Sequence, residues 1–216
     1  EKAKEIEAYY AKCADEGSTK EDIAKSKKAM SSLEVILGDS DRLDKLAVDI
    51  HDHYLSSVAN DPDRVQKAMI VCSNRKIAYD LLLKFKAHYS EWFEERKTPE
   101  GVNVSSEVLN ELKEMPTIAM VASVGSNDEP GMYNYLGGVK NDKRSEDLDA
   151  AFKQEHSNFR IVIVVDMWIT GFDVECLTYM YNDKPLQKHS LIQTISRANR
   201  KYAGKDYGLI VDYIGI

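Results

Sequence analysis

At 216 residues with 43% hydrophobic side chains, the chain has enough apolar material for one large domain, or one domain with an extension, and is not a disordered segment. Its net charge of −7 and pI near 5.3 exclude a uniformly basic nucleic-acid-coating protein, while leaving room for a local basic patch. The three cysteines, Cys13, Cys72 and Cys176, form no C-x-x-C pair, so neither a zinc site nor a disulfide framework is supported and a reducing cytoplasm fits best. No apolar run is long enough to span a membrane, and the charged start, Glu1 to Lys4, has no signal-peptide core. With no initiating Met and an end at Ile216 just past a strand, the chain reads as a piece of something longer.

Residues 1–60 read as helical and are expected to form an extension or linker to a domain spanning 61–216. Glu5 to Asp15 is one helix, and Gly17-Ser18-Thr19 breaks it. Ser18 or Thr19 caps a second helix through Ile23, Met30, Leu33 and Leu37. Gly38 ends that helix, and Ser40 caps a third from Asp41 to Ala59 with Leu43, Leu46, Ile50, Tyr54 and Val58 on one stripe. His51 and His53 point apart at i, i+2, so no metal is expected there. After the loop Asn60 to Asp63, Ala68–Cys72 is the first strand. It leads through Ser73-Asn74-Arg75 to a helix from Lys76 to Tyr89, and those three residues are candidates to touch a nucleic-acid backbone at a helix N-terminus; an ordinary N-cap turn is the equal alternative.

A helix over Ser105–Met115 and a strand over Thr117–Ser123 follow. Glu111-Leu112-Lys113 is an ordinary helix pair rather than a nuclease set. Val124 to Arg144, rich in Gly, Asn, Asp and Lys, reads as a long loop, without the G-x-x-x-x-G-K-[ST] spacing of a phosphate loop. A helix over Glu146–Glu155 leads to the apolar run Ile161 to Val165. Five consecutive β-branched residues cannot alternate between core and water, so this strand is expected to be buried on both faces, as in a parallel sheet covered by helices. Leu177–Tyr181 and Tyr207–Tyr213 are the remaining strands. Strands alternating with helices imply right-handed crossovers in a mainly parallel sheet.

Polar residues begin where the apolar run stops: Asp166, Thr170, Gly171 and Asp173. In parallel sheets this carboxyl end is where ligands collect. Gln193, Arg197 and Arg200 stand at i, i+4 and i+7 on one helix face, with Ile192, Ile195 and Asn199 round the other side. Two guanidiniums and an amide make a donor surface suited to phosphate oxygens. Lys184, Lys188 and His189 add positive charge in the loop before that helix; the alternative is a solvated loop.

In this order the segments resemble motifs of superfamily 2 helicases: Asp166 to Asp173 resembles motif V, Gln193 to Arg200 resembles motif VI, and the Ser73 turn sits where motif IV lies. The wording is closer to one family, the restriction (motor) subunit of type I restriction-modification enzymes. There V-D-M-x-x-T-G-F-D, D-K-P-L-x-x-H, Q-x-I-S-R-x-N-R and I-V-D-Y-I-G recur together; here they are Val165–Asp173, Asp183–His189, Gln193–Arg200 and Ile210–Gly215. The resemblance covers roughly Lys67 to Ile216. It departs where superfamily 2 motors often read F-D-A-P and this chain has Phe172-Asp173-Val174-Glu175.

The resemblance implies a three-layer RecA-like (P-loop NTPase-type) domain, the second of a helicase motor, preceded by an N-terminal helical segment. It implies Arg200 as an arginine finger, with Arg197 also facing the γ-phosphate, an element worth ~10³–10⁵ in rate in such motors. Gln193 orients groups near that phosphate, and Asp173 meets the ribose or the arginines. Gly171 lies at the nucleotide cleft, and Thr170 with Gly171 touches the DNA backbone and couples it to that cleft. Lys184 and Lys188 meet phosphates, and the loop 124–144 is a family insertion that reaches DNA. ATP with Mg2+ is expected to sit mainly on a first RecA-like domain, because no Walker A or D-E-x-H sequence occurs here; the chain alone is not expected to hydrolyse ATP. Expected partners are duplex DNA, the first RecA-like and nuclease domains of the parent chain, and the modification and specificity subunits. The alternatives are the same domain of another superfamily 2 helicase acting on RNA or DNA, and a non-catalytic nucleotide- or protein-binding α/β module.

Overall fold

The computed structural model describes residues 19, 21, 28, 32–62, 66–165, 167–168, 174–186, 192, 196, 198–202, 205 and 207–214. Five strands, β1 (Lys67–Cys72), β2 (Ile118–Val121), β3 (Ile161–Val164), β4 (Leu177–Asp183) and β5 (Leu209–Asp212), form one sheet in the order β2-β3-β1-β4-β5, and every pair is parallel. The longer helices are α1 (Ser40–Asn60), α2 (Arg75–His88) and α5 (Asn141–Lys153); α3 (Ser106–Glu111) and α4 (Pro130–Tyr135) are short.

All residues of β1 to β4 are buried, as the run of β-branched side chains in β3 requires. Side chains alternate between two cores. Ala68, Ile70, Ile161, Ile163, Tyr179 and Tyr181 face α1 and α2. Met69, Val71, Val162, Val164, Leu177 and Met180 face Leu148, Ala151 and Phe152 of α5, with Trp168 and Ala198. The result is the three-layer architecture expected from the alternation of elements.

Three boundaries differ from the sequence expectation, each for a local reason. Asp39, not Ser40, caps α1, its carboxylate accepting from the Arg42 N–H at 2.9 Å. The helix expected over Ser105–Met115 stops at Glu111, because Leu112 and Met115 turn inward and Met115 bridges to Arg96. The expected loop 124–144 is largely ordered helix. Pro130 starts α4, Gly137 ends it in the left-handed region at φ 90°, and α5 begins at Asn141, whose buried amide donates to the Ala122 and Leu136 carbonyls. The Glu5–Asp15 helix and much of the second lie outside the described residues; of the latter, residues 32–37 are helical and turn at Gly38.

The third helix of the expected extension is α1, and it contributes to the same core as the sheet. Leu43, Leu46, Ala47, Ile50 and Tyr54 pack there, and Tyr54 donates to the Gln66 carbonyl at 2.8 Å. Its polar side chains bind the sheet and α2: His53 meets the Tyr181 hydroxyl at 2.9 Å, Asp49 accepts from Tyr213 at 2.6 Å, and Asp44 pairs with Lys84 and His88. His51 instead stacks on Tyr89. Ile50 is fully buried. Ile50→Ala is expected to lower the stability of the whole chain by about 2–5 kcal/mol in a single denaturant transition; an unchanged midpoint would show that α1 folds separately.

Candidate functional site

The turn after β1 leads into α2 on one face of the sheet, while the segment after β3 places Trp168 and Val174 in the core on the other. Neighbouring strands whose connections leave to opposite faces open a crevice at their carboxyl ends, the usual ligand position in such sheets. Register brings those ends together: Val71 lies beside Val164, and Cys72 beside Asp183.

Ser73, Asn74 and Arg75 all sit at this end, and each makes an intramolecular contact. Ser73 Oγ donates to the Asp183 carbonyl at 3.1 Å. Asn74 is the N-cap of α2, accepting from Ile77 N–H at 2.9 Å. Arg75 donates to the Ser123 carbonyl at 3.0 Å and pairs with Asp128 at 2.8 Å, so it ties the turn after β1 to the segment after β2.

Asp183 ends β4 and its carboxylate is fully buried. Arg42, from α1, grips it through both guanidinium nitrogens, one at 3.2 Å. Burial pushes the Asp183 carboxyl above the ordinary carboxylate range, and the Arg42 guanidinium opposes that shift. The neighbouring Cys72 thiol is pushed up by burial first and by Asp183 second. Lys184 Nζ donates to the Val165 carbonyl at 3.3 Å, immediately before Asp166. Asn182 donates to the Lys184 carbonyl at 2.9 Å and to Asp212 at 2.6 Å. Sequence reasoning did not single out Arg42 or Asp183 as a pair. The signal in the chain was an apolar strand ending on an acid, with its partner 141 residues away.

Trp168 occupies the left-handed region at φ 68°, the one non-glycine with positive φ among the described residues. So bulky a residue holds that backbone only where its surroundings fix it; Trp168 is buried against Phe152, with ring centroids 5.7 Å apart. Thr170, Gly171, Asp173, Lys188, Gln193 and Arg197 lie outside the described residues. Arg200 is half-buried, two residues beyond the buried Ala198, and lies outside the helix expected to carry it: the backbone already bends at Asn199. Ala198 rests against Gly208, the residue before β5: a Cβ there would come within 2.1 Å of the Ala198 carbonyl oxygen. Gly208 is therefore the close approach that seats this helix end on the sheet.

The all-parallel sheet in the order β2-β3-β1-β4-β5, between two helical layers, is a RecA-like fold. A family model for type I restriction enzyme subunit R domain 3 matches residues 131–215. The chain is 36% identical over 212 residues to the MjaIXP endonuclease subunit of Methanocaldococcus jannaschii, covering 98% of this chain and 17% of that protein. It is also 36% identical over 188 residues to the type I restriction enzyme HindI endonuclease subunit of Haemophilus influenzae, covering 85% of this chain and 16% of that protein. A fragment structure of an HsdR subunit of a type I restriction enzyme from Vibrio vulnificus YJ016 superposes with a TM-score of 0.53 at 17% identity, covering 84% of this chain and 28% of that one. The chain belongs to the type I restriction enzyme R-subunit family and spans about a sixth of the length of those relatives.

Gly208→Ala is expected to cost about 1–3 kcal/mol, because only backbone can yield at Ala198. Gly125→Ala should cost less, since its Cβ meets only the movable guanidinium of Arg75. Equal midpoints for the two variants in a denaturant titration would remove Gly208 from that role.

Proposed function

We propose that this chain is the second motor domain of an ATP-dependent duplex-DNA translocase in a type I restriction-modification system. It forms one wall of an ATP cleft whose other wall is the first RecA-like domain of the same parent chain. The observation that carries this reading is the convergence at one crevice of the turn after β1, the end of β4 and the start of the segment after β3, joined by the Ser73–Asp183 and Lys184–Val165 contacts. Those are the positions where helicase-type motifs IV and V begin, and the Q-x-x-x-R-x-x-R segment, Gln193–Arg200, comes after the loop that follows β4.

The donor set fits a triphosphate. Gln193, Arg197 and Arg200 bring donors and no carboxylate to the segment after β4, and Arg200 keeps part of its surface accessible. In this reading Arg200 stabilises charge growing on the transferred phosphoryl group, with Arg197 beside it and Gln193 orienting neighbouring groups. Asp173 and Gly171 line the nucleotide side. ATP with Mg2+ supplies the phosphoryl-transfer free energy when bound, chiefly on the first domain. Thr170 and Gly171 meet the DNA backbone, supported by Ser73, Asn74 and Arg75 at the crevice and by Lys188 from the loop after β4. Closure and reopening of the two walls moves the domains along the duplex. Sequence recognition belongs to the specificity subunit, with the modification subunit and a nuclease domain of the parent chain completing the assembly.

Arg200→Ala in the intact parent subunit is expected to lower DNA-stimulated ATP turnover by about 10³-fold or more while leaving ATP binding within a fewfold of the wild type. Retained turnover removes Arg200 from the finger role. A wild-type subunit whose turnover ignores duplex DNA, while responding to RNA or to no nucleic acid, selects another helicase or a binding module.

A further inference from the structure

Lys184 was a candidate phosphate contact on sequence grounds. Its geometry points elsewhere. The dipeptide Asp183-Lys184 touches three separate parts of the fold. The Asp183 carboxylate holds Arg42 of α1, the Asp183 carbonyl accepts from Ser73 in the turn after β1, and the Lys184 ammonium donates to the carbonyl of Val165, where the segment after β3 departs. Asn182 anchors the same corner to β5 through Asp212. The acceptors of the corner are sheltered: the Asp183 side chain has no exposure and Val165 is buried, while the donors Arg42, Ser73 and Lys184 are half-buried.

We infer that Asp183-Lys184 is a positioning junction that fixes the turn after β1 and the segment after β3 in one register, with Arg42 as the strut that holds the junction in place. Its role in coupling DNA contact to the ATP cleft rests on the motor reading above; the junction itself does not. Neither Lys184 nor Arg42 acts as a catalytic residue in this scheme. Lys184 acts through the backbone of Val165, and Arg42 through Asp183. Two elements that bind different ligands transmit a change between them only if a rigid link joins them, and this dipeptide is such a link.

The test has two parts. In this chain, Arg42→Met and Lys184→Met are compared with the wild type by hydrogen exchange. Amides of the turn and first helical residues from Ser73 to Ile77 should exchange about tenfold faster in Arg42→Met, with β2 unchanged. Lys184→Met should do the same at the residues following Val164, and Lys184→Arg, which keeps a donor, should restore protection. Unchanged exchange in both Met variants overturns the junction. In the intact parent subunit, Lys184→Met should lower DNA-stimulated kcat about tenfold with an unchanged KM for ATP, while the salt dependence of DNA affinity stays that of the wild type. A salt slope reduced by about one shows instead that Lys184 neutralises a phosphate, and overturns the positioning role. Full stimulation with altered exchange leaves the junction without a part in coupling. A wild-type subunit without DNA stimulation refutes the motor reading alone, and hydrogen exchange then decides the junction.

Discussion

A carboxylate with no solvent exposure must be paired, and at the end of β4 that requirement determines much of the molecule. Leaving Asp183 charged and alone at this depth would cost several kcal/mol. Arg42 supplies the partner from 141 residues earlier, and the two-pronged contact fixes its orientation as well as its distance. The pair does more than neutralise charge. It fastens α1 across the carboxyl ends of β1 and β4, where the apolar stripe of that helix alone would fix only which face it buries. An apolar pair of equal volume would fill the space but would lack the directional contact that orients the end of β4 against α1.

The two ends of the sheet use buried charge differently. At the amino end, Lys67 is fully buried, donates to the Phe159 carbonyl at 2.6 Å and lies over the Phe152 ring. Burial drives its ammonium well below the ordinary lysine range, with Arg160 adding to the effect. Arg160, itself buried, donates to the Glu155 carbonyl. These cations meet carbonyls inside the domain and close that end. At the carboxyl end the charged residues instead connect separate segments: Arg42 to Asp183, Arg75 to Asp128, Lys184 to Val165. That asymmetry is the physical ground for placing function at the second end. Contacts joining segments that leave the sheet in different directions can respond to a ligand held between those segments, whereas contacts inside a closed end cannot.

The sheet was readable in the chain because its signal is local. Ile161 to Val165 cannot be anything but doubly buried, and β1, β4 and β5 fall within two residues of their expected limits. The Arg42–Asp183 pair was not readable, because nothing in the neighbourhood of either residue distinguishes a surface charge from a buried one; only the fold brings them together. Asp39 replaced Ser40 as cap because both are good caps in adjacent positions, and one residue of register decides between them. Trp168 in the left-handed region carried no sequence signal at all, since bulky side chains rarely adopt that backbone.

The glycine-rich stretch after β2 shows how composition misleads when an edge must be covered. Gly131, Gly137 and Gly138 read as a loop, yet they punctuate two short helical turns that fold back on β2. Tyr135 accepts from the Met120 N–H at 3.0 Å, and Arg144 donates to the Met120 carbonyl at 3.0 Å while lying over the Tyr135 ring. Side chains thus occupy the hydrogen-bonding groups that an edge strand would otherwise offer to another chain. Asn141, buried beneath them, holds the two ends of the cap through Ala122 and Leu136. A stretch whose composition reads as a mobile loop is thus held in place by the edge it closes, because each of these contacts is made to the backbone of β2 or of the segment that follows it.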